Sequence, residues 1–214
     1  MTGTVRNVVA ELLATLLFVF TIVGAVNADT TLAPIAIGFA LMVLVYATGH
    51  ISGAHLNPAV SLAVLIRGGI GIGDFVAYVV AQLVGGALGA LLALTVWPAA
   101  EAAVEFNPGI GAAFVVEAVV TFILAYVVLN VATSKDNDGN SFYGLAIGGT
   151  VTAGAIAVGG VSGGGFNPAV ALGLAVHGEF AWSNMWVYIV APLVGAAIAG
   201  IAFRLLNTHD PKKA

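Results

Sequence analysis

One stretch of this chain is written twice. GHISGAHLNPAVSL, which contains Asn57-Pro58-Ala59, recurs as GGVSGGGFNPAVAL, which contains Asn167-Pro168-Ala169. At the same offset Ala36-Ile37-Gly38 pairs with Ala146-Ile147-Gly148, Ser52-Gly53 with Ser162-Gly163, and Tyr78 with Tyr188. A slightly different offset pairs Glu11 and Thr15 with Glu117 and Thr121. The chain is therefore an internal duplication, and a fold that suits one half has to suit the other.

The duplicated halves are apolar. Of 214 residues, 60% are hydrophobic and 7% charged, against the ~25% charged residues of a soluble domain. Hydropathy gives six full-length runs, at about 8–26, 34–50, 76–96, 112–132, 142–160 and 183–206. A helix crossing the bilayer core needs roughly 20 such residues. The first run holds Glu11 and shows no small-residue cleavage pattern, so it reads as a span rather than a removable signal. Two shorter apolar pieces, about 58–66 and 168–176, follow the Asn-Pro-Ala units. Each starts with Pro after Asn, a helix-start signal, and stops at Arg67-Gly68 or His177-Gly178. They read as half-helices that enter the membrane and turn back, which is tolerated where backbone is buried in protein or lines a cavity.

The expected fold is an all-α membrane protein with six transmembrane helices and two re-entrant half-helices. It forms one transmembrane domain over 1–214, with repeat A at about 8–96 and repeat B at about 112–206. An odd number of full spans per half makes the repeat inverted, so the two Asn-Pro-Ala units meet from opposite sides near the midplane. The 6 basic residues sort by side. Arg6, Arg67, Lys135, Arg204, Lys212 and Lys213 all fall on one face, and the connections near 27–33, 97–111 and 177–182 hold none. That face is cytoplasmic by the positive-inside rule, with both termini inside and an inner (plasma) membrane as the expected location. The lipid bilayer is thus the first partner.

Other classes are disfavoured. A net charge of −4 without a basic patch offers nothing to nucleic acid. With no Cys, disulfides and thiolate metal sites are excluded. His50 and His55 flank the first motif, but no carboxylate or Cys stands near them in sequence, so packing or pore lining is the better reading and no metal is expected. No nucleophile–base set or phosphate loop appears, so neither an enzyme nor a cofactor is expected. Gly85, Gly86, Gly89, Gly195 and Gly200 are spaced as helix-contact residues.

The meeting of the half-helices carries the chemistry. Two helix N-termini bring positive dipole ends to the membrane centre. Asn57 and Asn167 cap them, leaving amide NH2 groups to donate into a pore. A water held there by two donors cannot accept from the next water in file, which interrupts proton relay, and the positive field repels cations. The approaches Gly53-Ala54-His55 and Gly163-Gly164-Gly165 are expected to be extended and to turn backbone carbonyls toward the pore. Glu11 and Glu117 are intramembrane acids at matched positions. The favoured reading is that each accepts hydrogen bonds from re-entrant backbone, with proton relay as the alternative.

With both Asn-Pro-Ala units, SGAHLNPAV and SGGGFNPAV, the paired Glu11 and Glu117 and this span order, the chain resembles the aquaporin, or major intrinsic protein, family over essentially its whole length. The resemblance implies a right-handed bundle, one pore per subunit, a homotetramer, and passive conduction of water or small uncharged solutes. It also implies a selectivity filter at Ile37, Ala155, Gly164 and Val170. Most members carry an Arg where this chain has Val170, with an aromatic and a His among the other filter positions. Val at that position resembles some plant tonoplast members, whose pores admit urea, ammonia and peroxide. The expectation is a wide, apolar filter passing water and small neutral solutes of the glycerol, urea, ammonia or peroxide class, with ions and protons excluded. The alternatives are a strictly water-selective pore, a secondary transporter of inverted-repeat type, or a closed structural membrane protein.

Overall fold

In the computed structural model, residues 3–210 are described, and among them the regular structure is helical. Six helices are long and apolar enough to cross a membrane. They are α1 (Gly3–Asn27), α2 (Ala33–Ser52), α4 (Ile72–Ala93), α5 (Ile110–Val128), α6 (Tyr143–Ser162) and α8 (Met185–Leu206). The two short helices are α3 (Pro58–Arg67) and α7 (Pro168–His177). α5 runs on as a widened π turn over Leu129–Thr133.

The third span differs most from the hydropathy window. It begins at Ile72, after an extended Gly71 and with Asp74 in the first turn, and it ends at Ala93. Beyond it the backbone turns, with Thr95 N–H donating to the Leu92 carbonyl and Trp97 N–H to that of Ala93. Leu94, Val96 and Trp97 keep the window apolar, so hydropathy alone cannot see the turn.

The half-helices start and stop for local reasons. Asn57 and Asn167 are both extended, at φ −156° and −157°, and each side chain accepts the N–H of the second residue after it. Pro58 and Pro168 stand at the first helical position, where a missing N–H costs nothing. Gly68 and Gly178 end the helices in the left-handed region, at φ 86° and 108°.

Packing follows the duplication. α1 lies along α4 and α5 along α8, α2 meets α6, and the half-helices rest on the opposite halves, α3 on α8 and α7 on α4. Glycines set these close approaches. A Cβ at Gly85 or Gly89 would overlap carbonyl oxygens of α1, at Leu12 and Leu16, and one at Gly195 would overlap that of Ala118 on α5. Gly86 lies against the Ala169 carbonyl of α7, and a Cβ at Gly200 would come within 2.9 Å of the Ile66 side chain on α3. The outward faces are apolar, with Leu13, Leu17, Val80, Ile123 and Ile198 exposed. Polar side chains such as Glu11, Gln82, Glu117 and Thr121 are fully buried, the reverse of a soluble protein.

One end of the bundle gathers charge. The buried Arg67, last residue of α3, donates from Nε to Thr133 Oγ1 at 2.8 Å and pairs with Asp210 at 3.5 Å. Asp210 also accepts the Lys135 N–H at 3.2 Å, and Arg204 donates to the Ile66 carbonyl at 3.4 Å. Lys212 and Lys213 lie outside the described residues.

Candidate functional site: two capped half-helices across one cavity

Each re-entrant approach is a short stretch of backbone in an unusual conformation. Gly53 and Gly163 adopt φ 92° and 85°, and non-glycine Leu56 and Phe166 adopt φ 52° and 49°. The left-handed region costs a side-chain-bearing residue about 1–3 kcal/mol unless its surroundings hold it there. Here they do. Glu11 Oε1 accepts the His55 N–H at 2.9 Å and Oε2 that of Leu56 at 2.7 Å. Glu117 Oε1 accepts the Gly165 N–H at 2.8 Å and Oε2 that of Phe166 at 2.6 Å. Ser52 and Ser162 hydroxyls donate to the same carboxylates at 2.6 Å and 2.7 Å. Tyr78 Oη donates to the Ser52 carbonyl at 2.8 Å, and Tyr188 Oη to that of Ser162. The two acids look like span-end residues in the sequence, but their carboxylates reach the residue next to each Asn.

The strained residues present their carbonyls to the opposite half. Asn57 Nδ2 donates to the Phe166 carbonyl at 3.0 Å, and Asn167 Nδ2 donates to that of Leu56 at 2.8 Å. The sequence reading leaves both NH2 groups wholly to the pore, whereas the structure commits one N–H of each to this cross-link. An amide nitrogen has two hydrogens, so one donor per Asn remains. The other side of each amide caps its helix: Oδ1 of Asn57 accepts Ala59 N–H at 2.8 Å, and Oδ1 of Asn167 accepts Ala169 N–H at 2.9 Å and Val170 N–H at 3.4 Å.

The duplication is not exact in chemistry. In the first half His55 Nδ1 lies 3.0 Å from Ser61 Oγ, Gln82 Nε2 donates to Ser61 Oγ at 3.0 Å, and the same Nε2 donates to Glu11 Oε2 at 2.8 Å. At the matching positions of the second half stand Gly165, Ala171 and Pro192, which cannot form that chain. Conversely Thr121 Oγ1 donates to the Phe166 carbonyl at 3.3 Å, while the hydroxyl of its counterpart, Thr15, is buried without a partner. Ser61 and Gln82 carry no motif and escape a sequence reading; the repeat alignment hides them because their partners in the other half differ.

A cavity of about 380 Å³ runs past this point. Asn57 and Asn167 line it, as do Ala54, His55, Gly163 and Gly165. Ile37 of α2, Ala155 of α6, Gly164 and Val170 of α7 line the same space. Gly53 does not line it: its φ of 92° makes it the cap of α2, with its N–H on the Gly49 carbonyl at 3.0 Å. His50 sits exposed in the last turn of α2. Among the described residues no group of three or more acidic and His side chains is placed to hold a metal ion.

Six spanning helices around a cavity, interrupted midway by two Asn-capped half-helices, define a polytopic membrane channel. The chain belongs to the major intrinsic protein family, whose pattern matches residues 1–203. It is 39% identical over 217 residues to the glycerol uptake facilitator protein-like 6 of Lactiplantibacillus plantarum, covering 96% of this chain and 100% of that one. Over 223 residues it is 37% identical to aquaporin NIP1-1 of Zea mays, covering 97% and 77%. An aquaglyceroporin structure from Plasmodium falciparum superimposes with a TM-score of 0.84 at 25% identity, over 96% of this chain and 98% of that one. The protein is thus an integral membrane channel and not an enzyme.

Proposed function

We propose that this channel conducts water together with small uncharged solutes of the glycerol, urea, ammonia or peroxide class, and excludes ions and protons. The observation that carries this is the cavity wall at Ile37, Ala155, Gly164 and Val170: not one of the four side chains bears a charge or a hydrogen-bonding group. A narrow filter with a fixed cation holds back larger solutes, whereas this one sets only a steric limit and leaves the solute's hydration to be replaced by backbone carbonyls. The similarity to a glycerol uptake facilitator-like protein and to an aquaglyceroporin supports the same direction. Ion exclusion rests on the two helix N-termini and the spare Asn57 and Asn167 donors, which disfavour cations, and on dehydration in an apolar tube, which disfavours anions.

The channel domain spans 1–214 as two repeats, at about 8–96 and 112–206, and assembles as a homotetramer with one pore per subunit. Both termini face the cytoplasm, since Arg67, Lys135 and Arg204 collect at one end of the bundle, and the inner (plasma) membrane is the location. Stopped-flow light scattering on proteoliposomes, comparing water, urea, glycerol and peroxide, tests the reading. Permeability to water with none to any larger solute would refute it.

A further inference from the structure

We propose that Ser61 and Gln82 hold the His55 ring in the tautomer that carries its hydrogen on Nε2, so that His55 offers the pore a third hydrogen-bond donor, for the oxygen of a passing water or small neutral solute. This deepens the proposed function and rests on it for what passes.

The hydrogens of this chain of side chains can be placed one by one. Glu11 accepts hydrogen bonds from the Ser52 hydroxyl, the His55 and Leu56 N–H groups and Gln82, which fills the capacity of a carboxylate. The end of the Gln82 amide that faces it, 2.8 Å from Oε2, is therefore the nitrogen, and the same Nε2 donates its second hydrogen to Ser61 Oγ at 3.0 Å. Ser61 has one hydrogen of its own to give. Gln82 Oε1 stands 3.5 Å away, outside the usual O–H···O range, and His55 Nδ1 stands at 3.0 Å. The hydroxyl thus donates to Nδ1, which keeps its lone pair, and the hydrogen of the neutral ring falls on Nε2.

A packing role would explain only part of this. The His55 ring stands edge-on to Tyr78, with 5.2 Å between centroids, but that contact leaves Nε2 unused. Nε2 bonds to no described residue, yet unlike His177 Nε2 it is not sealed off by its neighbours. A Cβ at Gly53 would come within 3.2 Å of it, so glycine there keeps the space beside it free. His55 lines the cavity and is 7% exposed, so this small open surface belongs to the pore.

Side-chain donors are scarce where His55 stands. Ile37 belongs to the first turns of α2 whereas His55 follows the last, so His55 lies on the far side of Asn57 from the filter. The other side chains lining that part are apolar: Val60 of α3, Leu124 and Val128 near the end of α5, and Ile147 near the start of α6. The carboxylate in the lining, Glu179, lies in the link between α7 and α8; its Oε1 is 2.8 Å from His177 Nδ1 and its Oε2 is sealed in. Among the described residues, the side-chain groups open to the cavity are thus His55 Nε2 and the spare hydrogens of Asn57 and Asn167, all of them donors. The other tautomer would turn a lone pair into the pore, a base to which a proton in transit could bind. Gly165 stands at the matching position of the second half, so the third donor exists on one side only.

Solid-state nitrogen NMR of the channel in lipid bilayers, isotope-labelled at histidine, reads the tautomer without any flux. The His55 signals are those lost in His55→Leu. The expected result is an Nδ1 without hydrogen and an Nε2 with one, the latter receiving magnetisation from water. Ser61→Ala, or Gln82→Leu should the first fail to fold, should bring in a second set of signals with hydrogen on Nδ1. Hydrogen on Nδ1 in wild type, no transfer from water, or a single unchanged tautomer in the folded variant would overturn the proposal. Stopped-flow light scattering on proteoliposomes then gives water flux per incorporated channel. His55→Leu and His55→Phe should each lower it by about fivefold, the worth of one neutral hydrogen bond in a stretch whose other side chains are apolar. Phe keeps a ring against Tyr78 and Leu reaches less far into the cavity, so a fall confined to one variant comes from shape and overturns the donor role, as does unchanged or raised flux in both. The tautomer result stands even if wild type passes nothing larger than water, so the two readings fail separately.

Discussion

The cross-links between the half-helices make unequal demands on the two asparagines, and the inequality can be measured. Asn57→Ala removes a cap to Ala59 N–H and the bond to the Phe166 carbonyl, which keeps Thr121 as a second donor. The cap is worth about 1 kcal/mol and the bond about 1 kcal/mol, so the loss is about 2 kcal/mol. Asn167→Ala removes a cap to two N–H groups and takes from the Leu56 carbonyl the one side-chain donor it has among the described residues. Leu56 is 0% exposed, so its carbonyl depends on Asn167 in the wild-type fold. An unsatisfied buried acceptor costs about 2 kcal/mol, which with a cap of about 1 kcal/mol brings this loss to about 3 kcal/mol. The difference of about 1 kcal/mol corresponds to roughly 2–4 °C in Tm for a chain of this size. Thermal unfolding in detergent, followed by the intrinsic fluorescence of Trp97, Trp182 and Trp186, reads it directly. The same logic makes Thr121→Val cost more in the Asn57→Ala background than alone, because the Phe166 carbonyl then loses both donors. Thr15→Val, which removes an unpartnered hydroxyl, should be neutral or stabilising. Equal Tm values for the two Asn variants, or a lower one for Asn57→Ala, would refute the reasoning.

Val170→Arg should place a long cation in the cavity that Ile37, Ala155 and Gly164 also line, lowering glycerol and urea permeability by about tenfold or more while water falls far less. Equal suppression of all solutes would argue against the filter assignment. Asp210→Asn probes the charged end of the bundle. Burial pushes the Asp210 carboxyl up, but the Ser134 hydroxyl, the Lys135 N–H and the charges of Arg67 and His209 outweigh it and hold the group below the usual carboxylate range. A depressed carboxyl contributes above its unfolded value and loses that contribution as pH falls through the folded one, so the stability gap between wild type and Asp210→Asn should be full at pH 7 and close only below about pH 4. Tm against pH measures it, and a gap that closes near pH 6 would contradict the assignment.

Much of the fold is legible because its determinants are local. Asn57-Pro58 and Asn167-Pro168 announce helix starts through caps that involve neighbours two and three residues away. The spans are visible as apolar runs, although a turn built from Leu94, Val96 and Trp97 is invisible to hydropathy. The site is legible only where the duplication marks it. Glu11 and Glu117 stand out as matched acids, but Ser61 and Gln82 belong to one half alone and leave no repeat signal. Glu179 and His177 likewise match Gly69 and Arg67, so the pair cannot be recognised by comparing halves.

The sequence by itself determined the duplication, the helical spans, the two broken helices and the apolar character of the filter positions, because composition and short-range hydrogen bonding are properties of neighbouring residues. Only the tertiary structure decided what those pieces do to one another. Asn57 reaches Phe166 and Asn167 reaches Leu56 across more than half the chain, and each bond takes from the pore a donor that local reasoning leaves free. Glu11 and Glu117 lie on helices far in sequence from the loops they hold. Such contacts arise when inverted copies pack face to face, and the energy that selects them, the cost of an unpaired polar group in a dry interior, has no value until the interior exists.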